Sequence, residues 1–314
     1  MRSLRSSVLI PLLVLVAACA EAPDDDTIVV GFAQTGNESD WRKAETVSIK
    51  AEAEKRGIVL KFSDGENKQK NQITALRNFI RQKVDVILLA PEVSTGWDKV
   101  LREAQEAGIP VILVSRGVES GEELYETLIA SDFVEEGRAA ARWLVEKTGG
   151  KARIIELQGT PGSDCARERQ EGFMEVLAGR EGMQILASQS GDFRRGDGKT
   201  VMQSFLKKHE GQIDAVFAHN DDMALGAIEA MKDAGLKPGE DVTVVSVDGV
   251  RAAFDAMVAG TLNCCIECPP LHGPAAFDAV QKVLDGETLP KRTTIELTVF
   301  DQLNAAEFID QRAY

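Results

Sequence analysis

The chain has 314 residues, with 36 basic and 50 acidic side chains and a formal net charge of −14. So acidic a surface repels nucleic acid and excludes a DNA- or RNA-binding role of the basic-patch kind. The length suits two domains of ordinary size.

At the amino terminus, Arg2 and Arg5 precede an apolar run from Val8 to Val16, then Ala17, Ala18 and Cys19. This pattern predicts a signal peptide over residues 1–18, too short for a stable membrane span. Val16-Ala17-Ala18-Cys19 also has the order of a bacterial lipobox, which makes Cys19 the expected acylated residue and lipid anchor. Removing the two arginines of residues 1–18 takes the net charge from −14 to −16. Residues 19–26, acidic and containing Pro23, read as a solvated tether.

From Thr27 onward, short apolar runs alternate with amphipathic stretches, the pattern of a parallel sheet with crossover helices. The runs are Ile28–Ala33, Val84–Leu89, Val111–Val114, Ile154–Leu157, Ala215–Ala218 and Val242–Val247. Their unbroken apolarity suits strands covered on both faces. Helices are predicted over Asn71–Gln82, with Ile73, Leu76 and Ile80 inward, over Asp222–Ala234 and over Gly273–Leu284; Thr293–Phe300 reads as one strand. A crossover near Leu128–Asp132 separates two series, giving an α/β chain of two doubly wound parallel-sheet domains. The expected lobes are 27–130 with about 268–294, and 131–267 with about 295–314.

In open parallel sheets ligands sit beyond the carboxyl ends of the strands. Those ends carry Glu38, Trp41, Arg42, Ser115 and Arg116 in the first series, and Arg169, Phe193, Asn220 and Asp248 in the second. Their spread over both halves predicts an interdomain cleft. Guanidinium forks, carboxylates and an amide match sugar hydroxyls, which both donate and accept, and Trp41 and Phe193 offer flat plates for a carbon–hydrogen face. Asn220 also reads as a helix cap and Asp248 before Gly249 as a turn residue.

Enzyme signatures are sparse. The histidines are His209, His219 and His272; no G-x-S-x-G elbow, Walker A or G-x-G-x-x-G loop is present, and neither a cofactor nor a metal is expected. Glycoside cleavage by a pair such as Glu38 and Glu267 remains the enzymatic alternative. Cys165, Cys264, Cys265 and Cys268 leave a disulfide open, although Cys264 and Cys265 would face opposite sides of a strand.

Three segments carry a family resemblance: Ala166-Arg167-Glu168-Arg169-Gln170-Glu171-Gly172-Phe173, Ala218-His219-Asn220-Asp221-Asp222-Met223-Ala224-Leu225-Gly226-Ala227 and Val247-Asp248-Gly249. They resemble the ribose/galactose-type substrate-binding proteins of ABC importers. Glu38 to Thr46, Ala90-Pro91 through Trp97, Glu156 to Thr160 and Gln189 to Phe193 are similar to the galactofuranose-binding branch. The resemblance implies a type I periplasmic binding protein fold with a three-crossing hinge, and an extracytoplasmic monomer that captures a monosaccharide for ABC importer membrane subunits. A sensor presenting sugar to a chemoreceptor or kinase is the alternative within this class. A repressor is set aside because no basic helix-turn-helix pattern precedes Thr27. By position, the resemblance implies sugar contacts from Trp41, Arg42, Arg116, Arg169, Phe193, Asn220 and Asp248, with Glu38 in support and Glu267 at a hinge crossing. Trp41-Arg42 stands where ribose binders carry an aromatic pair and Ala90 where they carry an asparagine, and both changes point away from ribose; Ser115 stands where the family carries an aspartate, so the hydroxyl pattern recognised is expected to differ from that of galactofuranose.

Overall fold

The computed structural model describes residues 27–312 and Tyr314. The predicted signal peptide, tether and Cys19 lie outside them. Among the described residues no helix is long and apolar enough to cross a membrane.

The first lobe begins with β1 (Val29–Gln34), α1 (Asp40–Lys55), β2 (Val59–Asp64), α2 (Gln69–Arg81), β3 (Val86–Leu89), α3 (Asp98–Glu106), β4 (Val111–Val114) and β5 (Thr127–Ser131). The chain then crosses to the second lobe at Asp132, whose carboxylate caps α4 (Phe133–Lys147). There follow β6 (Ala152–Gln158), α5 (Asp164–Leu177), β7 (Met183–Ser190), α6 (Arg195–Lys208), β8 (Ala215–Ala218), α7 (Asp221–Asp233), β9 (Thr243–Asp248), α8 (Arg251–Val258) and β10 (Cys264–Glu267). A second crossing leads to α9 (Gly273–Leu284) and β11 (Arg292–Ile295), and a third to β12 (Val299–Asp301) and α10 (Ala305–Phe308).

Each lobe holds a six-stranded sheet, ordered β11-β5-β4-β3-β1-β2 and β12-β10-β9-β8-β6-β7. Every pairing is parallel except β12 against β10. The central strands Val-Ile-Leu-Leu of β3 and Val-Ile-Leu-Val of β4 are buried along their whole length, because helices cover both faces. By contrast β2 and β7 are edge strands with mixed exposure.

Thr293–Phe300, read above as one strand, is two. Residues 292–295 pair with β5 in the first sheet and 299–301 with β10 in the second, so the third crossing lies inside the expected strand. In α2 the inward stripe is Gln72, Ala75, Leu76 and Phe79, while Ile73 and Ile80 are half-buried at its margin. α7 runs one residue earlier than expected and stops before Gly235, whose φ of 80° suits a glycine just beyond a helix. The four cysteines among the described residues are free and buried. Cys264 and Cys265 do alternate on β10, and Cys265 donates its thiol proton to Asp221 at 3.2 Å.

Candidate functional site

The carboxyl ends of the strands in both sheets face each other across the hinge and enclose a small cavity of about 30 Å³. Its lining comprises Glu38, Ser39, Trp41, Arg42, Ser115 and Arg116 from the first lobe, and Phe133, Cys165, Arg169, Phe193, Asn220 and Asp248 from the second, with Cys268 at the hinge. Eight of the nine expected ligand residues therefore meet at one place; Glu267 is the exception. Alternation along β10 turns its carboxylate to Arg312 and the Tyr314 hydroxyl, and brings the next residue, Cys268, to the cavity.

In the first lobe, Ser39 caps α1 by accepting the Arg42 amide at 3.1 Å, which places Trp41 and Arg42 in the first turn. Arg42 Nε donates to Glu38 at 3.2 Å, and its Nη1 donates to Ser115 Oγ at 2.9 Å and to buried Glu45. Arg116 Nη1 donates to the Glu92 carbonyl at 3.1 Å, Nη2 lies 3.9 Å from Glu38, and Nε has no partner among the described residues. Burial raises the Glu38 carboxyl, but Arg42 and Arg116 outweigh it and hold it below the usual range. Burial also opposes the charge of Glu45, yet Arg42 and His272 bring it down to about 2.

The second lobe has a matching arginine. Arg169 Nε donates to Glu136 at 2.8 Å, Nη1 donates to the His219 carbonyl at 2.5 Å, and Nη2 lies 3.9 Å from Asp248. Burial disfavours its charge, but Glu136 more than compensates. The neighbouring Arg167, by contrast, is exposed and pairs with Glu168. Burial and then the facing Asp221 push the Asp248 carboxyl well above its ordinary value, against the opposing pull of Arg169.

Asp221 shapes the turn that carries Asp248, accepting the amides of Gly249 and Val250 at 2.8 and 2.9 Å. Ser115, Phe193 and Asp248 have φ of 59°, 60° and 130°, a region costly for side-chain-bearing residues that clusters at ligand sites. Phe193 fits only because residue 159 is glycine: a Cβ there would stand 1.9 Å from the ring. Arg116 and Arg169 lie 5.3 and 6.0 Å from the centre of that ring, and Arg42 lies 4.7 Å from that of Trp41. Asn220 caps α7 by accepting the Met223 amide at 3.0 Å, as expected, and also lines the cavity.

Ser39, Phe133, Cys165 and Cys268 complete the lining without having been singled out as ligand residues. Cys165 carries a readable signal, one helical turn before Arg169 on α5. Phe133 is the first helical residue after a cap at the crossing, a place that hydrophobicity alone does not distinguish.

The rims of the cavity are joined across the lobes. Asp222 accepts the Asp40 amide at 2.9 Å, Asp164 accepts the Gly117 amide at 2.6 Å, and Gly162 accepts the Ser94 amide at 2.8 Å. Arg194 donates to Asn67 at 3.2 Å.

A periplasmic binding protein domain matches residues 30–288. The galactofuranose-binding protein YtfQ of Escherichia coli is 47% identical over 272 residues, covering 85% of this chain and 86% of that one. The periplasmic binding protein component of the arabinose ABC transporter from a Shewanella species, solved with α- and β-L-arabinofuranose, is 48% identical with a TM-score of 0.89, covering 91% of this chain and 95% of that one. A Mycobacterium smegmatis protein in complex with β-D-fucofuranose is 46% identical with a TM-score of 0.88, covering 90% and 94%. With two hinged parallel-sheet lobes, a polar cavity between them and these relatives, the chain belongs to the periplasmic binding protein family.

Proposed function

We propose that the chain is an extracytoplasmic receptor that captures one monosaccharide as a furanose ring and delivers it to an ABC importer without reacting with it. The observation that carries this reading is the interlobe cavity, where Arg42, Arg116 and Arg169 face Glu38, Asp248 and Asn220 between the plates Trp41 and Phe193. Three buried donor forks beside carboxyl acceptors and flat apolar rings are what a small polyhydroxylated ring requires.

The ligand class follows from the sugars named for the relatives. D-galactofuranose, L-arabinofuranose and D-fucofuranose share one ring configuration and differ only in the exocyclic arm. A ring of that configuration is therefore the proposed ligand, held by the eight residues Glu38, Trp41, Arg42, Arg116, Arg169, Phe193, Asn220 and Asp248. The proposed lobes are the expected 27–130 with about 268–294, and 131–267 with about 295–314, save that Ser131 and Ile295, paired in the first sheet, go with the first lobe. Attachment to the outer face of a bacterial membrane through acylated Cys19 completes the proposal, with a monomer as the working state.

Calorimetric titration of the ligand-stripped protein tests it with L-arabinose, D-galactose, D-fucose and D-ribose. One-to-one binding of one or more of the first three, with the sugar recovered unchanged, supports the reading. No binding across the panel, or release of free sugar from a furanoside, overturns it.

A further inference from the structure

Behind Arg42 lies a buried relay that the sugar site does not itself use. Glu45 is fully buried, and its Oε2 accepts from Arg42 Nη1 and from Gln34 Nε2 at 3.0 Å. Its other oxygen stands 2.9 Å from His272 Nδ1. An ionised carboxylate only accepts, so the hydrogen lies on Nδ1 and the His272 tautomer is set; Nε2 has no partner among the described residues.

His272 belongs to the second hinge crossing, at the start of α9, directly after Cys268-Pro269-Pro270-Leu271. The same segment holds a second first-lobe contact residue, Trp41. The Trp41 indole donates to the Cys268 carbonyl at 2.5 Å, and its ring meets that of His272 edge-on at 5.7 Å. Two prolines fix their own φ and stiffen this short connection. Arg42 and Trp41 are thus each bonded to, or one residue removed from, a strap on which the lobes turn.

We propose that Glu45 and His272 are positioning residues that clamp Arg42 and Trp41 to the second hinge crossing, so that the first-lobe half of the sugar site and this crossing move as one unit. The coupling to sugar rests on the function proposed above, whereas the clamp itself does not. With Nε and Nη1 of Arg42 committed to Glu38, Glu45 and Ser115, Nη2 is its remaining donor atom. Its aim depends on Glu45 staying ionised and on His272 keeping that carboxylate in place.

The experiment compares His272→Leu, which removes the donor, with His272→Asn, whose amide can replace the Nδ1 hydrogen. Hydrogen exchange of the Trp41 indole, identified with Trp41→Phe, reads the clamp without any sugar. Exchange is expected to rise at least about tenfold in the leucine variant and little in the asparagine variant, with the indoles of Trp97 and Trp143 unchanged. Unchanged Trp41 exchange, or an equal rise at all three indoles, overturns the clamp. Titration with L-arabinose then reads the coupling: the leucine variant should bind at least about tenfold more weakly, and should lose clearly less in an Arg42→Ala background, where only the Trp41 share remains. Equal losses in both backgrounds overturn the coupling. Absence of binding by the unaltered protein refutes the earlier reading alone and leaves the clamp to the exchange result. If His272→Leu does not fold, Glu45→Gln takes its place, since an amide cannot accept from both sides.

Discussion

Arg169→Ala acts on affinity and stability together, and the geometry separates the two. A hydrogen bond from a charged group contributes about 1.5–3 kcal/mol, so losing the Arg169 fork should weaken sugar binding by about 10- to 150-fold. The same change strands Glu136, which is fully buried and bonded to Arg169 at 2.8 Å. Breaking one side of a buried pair costs about 3–5 kcal/mol. At about 2–4 °C per kcal/mol for a chain of this size, the melting temperature should fall by roughly 6–20 °C. Arg169→Ala on its own therefore does not leave stability untouched. The combination Arg169→Ala with Glu136→Gln removes the stranded charge, and should recover much of the stability while leaving the affinity low. Thermal melts and titrations with L-arabinose and D-galactose on the three variants provide the readings. An Arg169→Ala protein that binds sugar within about threefold of the unaltered chain would refute the site assignment. No drop in melting temperature would refute the role given to Glu136.

Other perturbations follow from the same geometry. Gly159→Ala forces a methyl group into the Phe193 ring and should reduce sugar affinity about tenfold or more by displacing that plate, with circular dichroism unchanged; normal affinity would remove Phe193 from the site. Cys19→Ala should move the protein from the membrane fraction to the soluble extracytoplasmic fraction, and continued membrane retention would refute lipid anchoring. The Asp222 carboxyl, raised by burial and by Asp40 and Asp221 to about 6 where it bridges the lobes, should return toward its ordinary 3.8 when they part. Because its pKa is higher in the closed form, closure takes up a proton: this contribution is fully present below about 3.8 and lost as pH rises through about 6. Sugar affinity measured at about pH 5 should thus exceed that at about pH 7, and Asp222→Asn should flatten the dependence; the reverse slope would contradict the bridge.

Much of this architecture was legible because parallel strands covered on both faces write themselves as unbroken apolar runs. Val111–Val114 and Ala215–Ala218 were read to the residue. The edge strands Val59–Asp64 and Met183–Ser190 were not singled out, since half their side chains meet solvent and the run is interrupted by polar residues. Thr293–Phe300 misled for a different reason: only Glu296-Leu297-Thr298, with no glycine or proline to mark a break, lies between its two strands, and pairing partners thirty or more residues away in sequence are what separate them. For the site, position after successive strands was the useful signal: Glu38, Arg116, Arg169 and Asp248, singled out by it, line one cavity. It could not tell Glu267 from Cys268, because a one-residue step at the end of a strand exchanges cavity for outer face. Nor could it find Glu45, Glu136 and His272, whose importance lies in which arginine or tryptophan they hold and not in any pattern of their own.

The three crossings also dictate when each lobe can be finished as the chain emerges from its amino end. Phe277 and Val280 of α9 fill the layer beside Ile49 and Val30, and Arg292–Ile295 complete the first sheet, so the earliest-made lobe lacks part of its core until residues near 295 appear. The later-made lobe waits in turn for Phe300 against Phe254. Neither sheet is complete until the residues of its last strand, near 295 and 301, are present. A truncation after β10 would cost both lobes at once.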